Sequence, residues 1–409
     1  MAEQGKWGEK MECMIYLDNA ATTPTAPEVI EAMLPYYEDR YGNPSAIYEF
    51  GNKSKNAIEE ARQTIADTLG AKPEEIYFTA GGSESDNWAI KATAESLGHR
   101  GNHIITTKIE HHAVLKTCEY LEQNGYEVTY LDVDSYGLVR PEILRRAIRP
   151  STILISIMTA NNEIGTIEPI VQIGHMASRF GIRFHTDAVQ AYGQIPMNVN
   201  TMRVDMLSAS AHKFNGPKGI GFLYIREGRN IPPFMHGGDQ ERKNRAGTEN
   251  VPGIVGMGVA AKLAHESMAE RSEQESRLRD YLIYTVLKEI PLARLNGDWK
   301  RRLPNNADFC FDYVDGASLL VMLDTDGICA SAGSACTSGQ KEPSHVLTAI
   351  GISEAQARGS LRFTLGGKTT RADIDYVIEK LKNDIEVLRE SVPEFQEYRN
   401  RSRAMQIDS

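Results

Sequence analysis

Four short apolar runs decide the fold class: TILISIM (152–158), IRFHTDA (182–188), VDMLSAS (204–210) and IGFLYI (220–225). Each run is rich in β-branched or aromatic residues and has the length of one strand. EIYFT (75–79) and HIITT (103–107) have the same character, and helical patterns lie between the runs. Strands that alternate with helices of about 10–15 residues predict an α/β fold whose mainly parallel sheet is flanked by helices. Such folds bind ligands beyond the carboxyl ends of their strands, so residues that follow the runs are the first candidates for a site.

The alternation stops after residue 225, which indicates a second domain. A long, charged helical pattern runs from about residue 251 to 290 and predicts the connection to it. We expect a large α/β domain over residues 26–264. The smaller α+β domain is expected to combine 14–25 with 265–390. The remaining residues are expected to form an N-terminal extension and a tail, namely 1–13 and 391–409.

An amphipathic helix is predicted to close the smaller domain. Thr370 and Asp373 fit an N-terminal capping pair. The apolar residues that follow fall on one helical face: Ile374, Val377, Ile378, Leu381, Ile385 and Leu388.

Composition argues against several classes of protein. The 409 residues are 41% hydrophobic, which is enough for a sizeable core. A net charge of −10 argues against a nucleic-acid or anionic-membrane surface, and no apolar stretch has the ~18 residues of a transmembrane helix. The opening residues MAEQGKWGEK lack the apolar centre of a secretory signal. Five cysteines without a CxxC pair indicate reduced thiols, so we expect a soluble cytoplasmic protein.

The segment FTAGGSESDN (78–87) is a candidate anion-binding site. A predicted strand leads through Gly81 and Gly82 into a helix, whose first N–H groups and dipole favour a negative charge. The same residues are equally consistent with an ordinary turn in which Ser83 caps the helix. The segment is neither a Walker A loop nor a GxGxxG fingerprint.

Two further segments place a carboxylate and a lysine after strands. Asp187 in HTDAVQ (185–190) would be costly to bury without a positive partner such as a protonated pyridine nitrogen. Lys213 in SASAHKFNGPKG (208–219) lies near hydroxyl groups, where a lysine can form a Schiff base. Taken alone, Asp187 is more simply a helix cap and Lys213 a solvated surface residue. An anion site, a buried carboxylate and a reactive amine together match the needs of pyridoxal 5′-phosphate.

Cys336 is the candidate nucleophile among the cysteines. It lies in the Gly/Ser-rich segment DGICASAGSACTSGQKEPSHVL (326–347), whose composition predicts a mobile loop at about 326–342. Cys310 lies in an apolar run and is interpreted as a core residue. Cys118 and Cys13 are given no functional role, and the sequence leaves the role of Cys329 open.

Arg362 and His111 are further candidates. Arg362 in SLRFTLGG (360–367) could hold a substrate carboxylate, or could be an edge-strand arginine that faces water. His111 lies where a strand gives way to a helix and could stack on a flat ring or move protons. An isolated histidine is more often satisfied locally. His111 and His112 lack metal-ligand spacing and the sequence adds no carboxylate cluster, so we predict no metal site.

Ten motifs, in order from residue 14 to about 390, carry a family resemblance: MIYLDNAATTP (14–24), YGNPS (41–45), FTAGGSESDN (78–87), EHHAVL (110–115), NNEIGT (161–166), HTDAVQ (185–190), SASAHKFNGPKG (208–219), RAGTEN (245–250), GSACTSG (333–339) and LRFTLG (361–366). They closely resemble the cysteine desulfurases of the NifS/IscS-like group. These are pyridoxal-phosphate enzymes of the fold-type I, class V aminotransferase superfamily. The resemblance therefore implies a fold-type I transferase with a large cofactor-binding domain and a smaller α+β domain.

The resemblance also implies cofactor contacts, residue by residue. Lys213 would form the Schiff base, and Asp187 would pair with the pyridine nitrogen. Gln190 would hydrogen-bond the ring oxygen, and His111 would stack on the ring and act in catalysis. The phosphate would be held by residues of both subunits of a homodimer: Gly82, Ser83, Ser210, His212 and, from the second subunit, Thr248.

For the substrate, the resemblance implies L-cysteine. Asn43 and Asn162 would lie near it, with Asn162 also near the cofactor, and Arg362 would bind its carboxylate. Cys336 would take the sulfur as a persulfide while L-alanine is released. The sulfur would pass to an acceptor such as an iron–sulfur scaffold protein or to another sulfur-containing product.

Two departures from the family pattern limit what is carried over. Where the family often has NPSSxH, this chain reads Asn43-Pro44-Ser45-Ala46-Ile47-Tyr48, so no role for a histidine is transferred. The tail YRNRSRAMQIDS lacks the ending associated with the housekeeping members, which leaves docking to their scaffold open. Two alternatives also stay open: another pyridoxal-phosphate enzyme, such as an aminotransferase or selenocysteine lyase, and a non-catalytic sulfur carrier.

Overall fold

A computed structural model describes residues 14–332 and 343–407, with side chains up to residue 401. These residues form two compact units. The larger contains Thr22–Asn162 and Thr166–Glu270, and the smaller contains the segment up to Ala21, Glu163–Gly165 and the chain from Arg271 onward. The assignment of functional domains to residues 26–264 and to the remainder stays a prediction.

Strands and helices alternate through the larger unit, as the pattern of apolar runs predicts. In chain order the strands are β1 (Ile15–Tyr16), β2 (Ile76–Thr79), β3 (His103–Thr107), β4 (Glu127–Leu131), β5 (Thr152–Ser156), β6 (Arg183–Asp187), β7 (Met206–Ser210), β8 (Gly221–Ile225), β9 (Ala293–Leu295), β10 (Asn306–Phe311), β11 (Ile328–Cys329) and β12 (Ser360–Thr364). The helices are α1 (Pro27–Met33), α2 (Pro35–Glu38), α3 (Glu49–Leu69), α4 (Gly82–Leu97), α5 (His112–Gln123), α6 (Pro141–Ala147), α7 (Ile170–Phe180), α8 (Val199–Met202), α9 (Val251–Glu266), α10 (Met268–Glu289), α11 (Gly316–Thr325), α12 (His345–Ala349), α13 (Glu354–Ala357), α14 (Arg371–Glu390) and α15 (Pro393–Ile407).

The central sheet of the larger unit has the strand order β2-β8-β7-β6-β5-β3-β4 in the described part of the chain. The pairs from β7 to β4 are parallel, whereas β8 is antiparallel to both β7 and β2. The link from β7 to β8 is short and contains one 3₁₀ turn, Ala211–Lys213, so it reverses the chain instead of making a helical crossover. The predicted mainly parallel α/β sheet is therefore confirmed.

Helix α9 packs closely on α3 and on the end of α1 in the larger unit, and glycines of α9 make this possible. A Cβ added at Gly258 would lie 2.7 Å from Ala61 Cβ, and one added at Gly256 would lie 2.7 Å from Met33 Sδ. The helical pattern of residues 251–290 is divided between α9 and α10, with a break at Ser267. Among the described residues, no helix combines the length and apolar character needed to span a bilayer.

The smaller unit has its own apolar core. It contains an antiparallel sheet of order β12-β10-β9 and a parallel pair formed by β1 and β11. Helix α14 packs on this core through the predicted face, including Ile374, Val377 and Leu381. Its capping box is also as predicted, because Thr370 and Asp373 exchange side-chain-to-backbone hydrogen bonds.

Candidate active site

The strands of the larger unit bring several candidate segments to one edge of the sheet. Strands β2, β3, β6 and β7 run in the same direction, so their carboxyl ends share that edge. The candidates that follow these four ends are Gly82, His111, Asp187 and Lys213. This edge is where an open α/β sheet binds its ligand.

Lys213 lies in the turn that connects β7 with β8, and its neighbours are tied to the segment before α1. The carbonyl of His212 accepts hydrogen bonds from Thr23 N at 2.8 Å and from Thr23 Oγ1 at 2.9 Å. Asn215 N donates to Thr23 Oγ1 at 2.8 Å. These contacts fix the backbone on both sides of Lys213.

Asp187 is the last residue of β6 and is buried. Its Oδ1 accepts the backbone N–H of Val189 at 2.8 Å. Burial raises the pKa of Asp187 to about 6, while the Val189 N–H and the charge of Lys213 act in the opposite direction. The carboxyl group and the amine are thus close enough to interact electrostatically. A buried carboxylate in this position favours a cationic partner.

A second buried acid, Asp86, lies beside Asp187. Ligand-type side-chain atoms of Asp86, His111 and Asp187 all lie within 4.8 Å of one another. Burial, with the charges of Asp187 and Glu110, holds the pKa of Asp86 well above its usual range, although the Ser208 hydroxyl opposes the shift. Asp86 is not singled out by its sequence pattern, which is that of an ordinary helical residue. The sequence shows no carboxylate cluster that would complete a metal site with His111 and His112, whereas the fold brings Asp86 and Asp187 close to His111.

His111 has a fixed ring orientation. Its Nδ1 accepts the backbone N–H of Ala113 at 3.1 Å, so the side chain caps α5. The ring is half-buried at the sheet edge, close to Asp187. Helix capping by His111 is therefore compatible with stacking on a flat ring, because the capping bond uses only the Nδ1 atom.

Two glycines, Gly81 and Gly82, lie at the start of α4. Gly81 has φ +152°, and a Cβ added there would lie 3.5 Å from Ser210 Oγ. A Cβ at Gly82 would lie only 2.6 Å from Val189 Cγ2. The helix begins at Gly82 with Gly81 as its N-cap and no side-chain cap, so the alternative in which Ser83 caps the helix is wrong. The first N–H groups of a helix such as α4 have no acceptor within the helix, and such groups can bind anions.

Comparison with known proteins identifies the family. Residues 15–377 match the family described as "Aminotransferase class-V". Cysteine desulfurase IscS of Methanosarcina thermophila is 56% identical over 379 residues, covering 93% of this chain and 94% of that protein. The protein of the same name from Dictyoglomus turgidum is 54% identical and covers 95% of this chain and 99% of its own length.

The chain belongs to the class-V aminotransferases, among the cysteine desulfurases. Solved structures of this family confirm the fold. A "NIFS-like protein" superposes with a TM-score of 0.86 at 38% identity, covering 91% of this chain and 100% of its own. "SspA in complex with cysteine" gives a TM-score of 0.76 at 42% identity, with 87% of this chain and 100% of that chain covered.

Pyridoxal 5′-phosphate is the cofactor of this cysteine desulfurase, and the geometry of the larger unit fits it. Asp187 is a buried carboxylate suited to a protonated ring nitrogen. The start of α4 offers helix N–H groups to a phosphate, and Gly81 lies close to Ser210, which ends β7. Lys213 lies within electrostatic reach of Asp187.

The other cofactor candidates of the desulfurase differ in exposure. Gln190 and Asn162 are half-buried, whereas Ser83 and Thr248 are exposed. Burial and the charges of Lys213 and Lys218 lower the pKa of His212 to about 4, which favours the neutral ring. Its Nδ1 lies 3.2 Å from Thr22 Oγ1.

The substrate candidates lie on both units. Asn43 belongs to the larger unit and is exposed, with its Oδ1 accepting the N–H of Ser45 at 2.9 Å. Arg362 belongs to the smaller unit, where β12 places it with only 2% of its surface exposed. Its Nη2 donates to Asp18 Oδ1 at 2.9 Å. The alternative of an edge-strand arginine that faces water is therefore wrong.

The three cysteines that the structure describes differ in burial. Cys310 in β10 and Cys118 in α5 are buried. Cys329 is half-buried in β11, and burial raises the pKa of its thiol. Cys336 and the motif GSACTSG (333–339) lie outside the described residues, as does Cys13.

Proposed function

We propose that the protein transfers the sulfur of L-cysteine to the thiol of Cys336, which becomes a persulfide, and releases L-alanine. The sulfur atom and the thiol hydrogen balance without an added oxidant or reductant, because the hydrogen of the thiol replaces the sulfur on the substrate's β-carbon. The observation that carries the proposal is the position of buried Asp187 and of Lys213 at the same carboxyl edge of the sheet, where the charge of Lys213 lowers the pKa of Asp187. The proposal is also supported by the similarity of most of the chain to cysteine desulfurases.

The residues of the larger unit would hold and orient the cofactor. Bound pyridoxal phosphate supplies an electron sink for negative charge at the substrate's α-carbon. Asp187 would accept the hydrogen bond of the ring nitrogen and keep that nitrogen protonated. Gln190 would hydrogen-bond the ring oxygen, and His111 would cover one face of the ring. The phosphate would contact the first turn of α4 and neighbouring side chains: Gly82, Ser83, Ser210, His212 and, from a partner subunit, Thr248.

Lys213 would have two roles. Its Nζ would tether the cofactor and then, once L-cysteine takes its place, would remove the proton from the substrate's α-carbon. The neighbouring negative charge of Asp187 and the fixed turn Ala211–Lys213 keep the amine at the site. Arg362 would bind the substrate carboxylate, and Asn43 and Asn162 would contact the rest of the amino acid.

The protein is further proposed to act as a cytoplasmic homodimer that delivers sulfur to an iron–sulfur scaffold protein. The support is the level of identity to relatives called cysteine desulfurase IscS. The net charge of −10 agrees with a protein partner and not a nucleic acid.

Two substitutions test the proposed chemistry. Purified protein should be yellow and should form alanine from L-cysteine in the presence of a thiol reductant. Cys336→Ala should keep the coloured cofactor but lose sulfide release, because the acceptor thiol is gone. Lys213→Ala should lose the borohydride-stable link to pyridoxal as well as activity.

The same experiment separates the alternatives. Full sulfide release by Cys336→Ala would refute the role of that thiol. Keto-acid formation from an amino donor, without alanine from L-cysteine, would favour an aminotransferase. A selenocysteine lyase would turn over selenocysteine with Cys336 replaced.

A further inference from the structure

Asp18 makes an ion pair with the arginine proposed to receive the substrate. The distance from Arg362 Nη2 to Asp18 Oδ1 is 2.9 Å, and 18% of the Asp18 side chain is exposed against 2% of the Arg362 side chain. The two residues are 344 positions apart in sequence. Nothing in the proposed chemistry so far uses Asp18.

The backbone holds Asp18 in place next to β12. Thr364 N donates to Leu17 O at 2.7 Å, and Thr364 O accepts from Asn19 N at 3.3 Å, so the residues on both sides of Asp18 are fixed. Asn19 Nδ2 also donates to Thr364 O at 2.8 Å. The carboxylate therefore extends from a rigid segment two residues along the strand from Arg362.

Other charged and titratable groups surround the pair. Asp308 lies directly opposite Arg362 in the β10–β12 register, so both side chains share one face. Burial raises the pKa of Asp308 to about 7, although Asn296 Nδ2 donates to it at 2.5 Å and the charge of Arg362 lowers the pKa. On the other side, burial and the charge of Asp18 raise the pKa of Tyr16 to about 12. Asp18 accepts a hydrogen bond from Arg362 Nη2 at 2.9 Å.

We propose that Asp18 is a positioning residue that sets the orientation of the Arg362 guanidinium for the substrate carboxylate. The proposal rests on the proposed function, in which Arg362 binds L-cysteine. An arginine side chain has large rotamer freedom, and two carboxylates can be bound in fork geometry only if the plane of the guanidinium is fixed. With Asp18 hydrogen-bonded to Nη2, the guanidinium plane is fixed before the substrate arrives. Substrate binding then costs less conformational entropy of the Arg362 side chain.

Removal of Asp18 has two opposite effects, and matched variants separate them. Asp18→Ala frees the guanidinium to rotate, which weakens substrate binding, but it also leaves Arg362 with less negative charge nearby, which strengthens binding. Asp18→Asn keeps an oxygen that accepts from Nη2 and removes only the charge. If position is decisive, the alanine variant is impaired and the asparagine variant is rescued.

The test is steady-state kinetics of the holoenzyme with L-cysteine. For Asp18→Ala we expect KM to rise about tenfold with kcat changed by less than about threefold. For Asp18→Asn we expect KM within about threefold of the wild type. Asp326→Ala is the matched control, because it breaks the Lys380–Asp326 ion pair of 2.8 Å in the same unit, and it should leave KM unchanged.

Several outcomes would overturn the role of Asp18. These are an unchanged or lower KM in Asp18→Ala, a loss of kcat alone, or an asparagine variant as impaired as the alanine variant. If Asp18→Ala does not fold, Asp18→Ser replaces it, because the short hydroxyl does not reach Arg362. Arg362→Ala with normal KM would instead refute the carboxylate role of Arg362, and a wild type that forms no alanine would refute the proposed function.

Discussion

At the scale of single residues, the site contains two buried acids whose pKa values are raised and whose surroundings differ. Asp187 has a backbone donor and the positive charge of Lys213 close by, both of which favour its ionised form. Asp86 has the charge of Asp187 as a neighbour and its pKa is raised further. Two carboxyl groups this close do not both ionise readily without a cation. Asp187 is therefore the one suited to a protonated ring nitrogen, and Asp86 is the neutral neighbour.

This difference predicts unequal effects for the same substitution at the two positions. Asp187→Asn removes the negative charge that we propose to keep the ring nitrogen protonated, so kcat should fall by on the order of 100-fold while the cofactor stays bound. Asp86→Asn replaces a neutral acid by a neutral amide of the same shape and should retain activity within about fivefold. For both variants, the rate of alanine formation gives kcat and the absorbance of the bound cofactor reports its retention. Equal losses in the two variants would contradict the assignment.

The sequence predicted some of these residues and could not predict others. Asp187 and Lys213 were found because each follows an apolar run, and the position after a strand has a structural meaning. Asp86 was missed because an acid within a helical pattern is usually on the surface, and only the packing of α4 on the sheet buries it. Asp18 was given no role because its partner is far away in sequence.

At the scale of elements, α4 and the end of β6 are packed together by one glycine. Gly82 begins α4, and its missing Cβ leaves space for Val189 Cγ2. Val189 is also the residue whose N–H holds Asp187. Val189 therefore contacts both the helix start proposed for the phosphate and the carboxylate proposed for the ring nitrogen.

Gly82→Ala should consequently weaken cofactor binding. The new Cβ would approach Val189 Cγ2 to 2.6 Å, so the start of α4 or the Val189 segment must move. We expect an affinity for pyridoxal phosphate about tenfold lower, measured by absorbance titration of the apoprotein. Val189→Ala removes the opposing methyl group, so the double variant should recover most of the loss. No recovery in the double variant would show that the contact is not the cause.

Elements with a clear pattern were predicted more completely than half-exposed ones. The six apolar runs each contain one strand of the central sheet, and the capping pair of α14 occurs at the expected residues. Strand β4 was not predicted, because Glu127–Leu131 is an edge strand whose residues are mostly half-buried and give no continuous apolar run. The break between α9 and α10 at Ser267 was also missed, since the helical pattern continues across it.

At the scale of the whole molecule, buried acids link folding stability to pH. Glu168 is buried in the larger unit, and its Oε2 accepts the N–H of Val139 at 2.9 Å. Burial raises the pKa of Glu168 to about 8 from its ordinary value of 4.5. The folded protein therefore keeps this proton at pH values where the unfolded chain releases it. The resulting stability is complete below pH 4.5 and is lost as the pH rises through about 8.

Glu168→Gln should reduce this pH dependence. The amide oxygen can still accept from Val139 N, but the side chain no longer titrates. Thermal unfolding from pH 5 to 8.5 should show nearly equal Tm values at pH 5, with the variant at least about 2 °C more stable at pH 8.5. Exposed Glu227→Gln is the control and should show no such gain at high pH. Parallel Tm curves for wild type and Glu168→Gln would contradict the prediction.

Thr23 forms hydrogen bonds to His212 and Asn215, the residues on either side of the Lys213 turn, and these bonds bear on how the coenzyme binds. The shape of this turn is set by contacts within the polypeptide itself. Because these contacts do not involve the coenzyme, we expect coenzyme binding at Lys213 to leave the conformation of this turn unchanged.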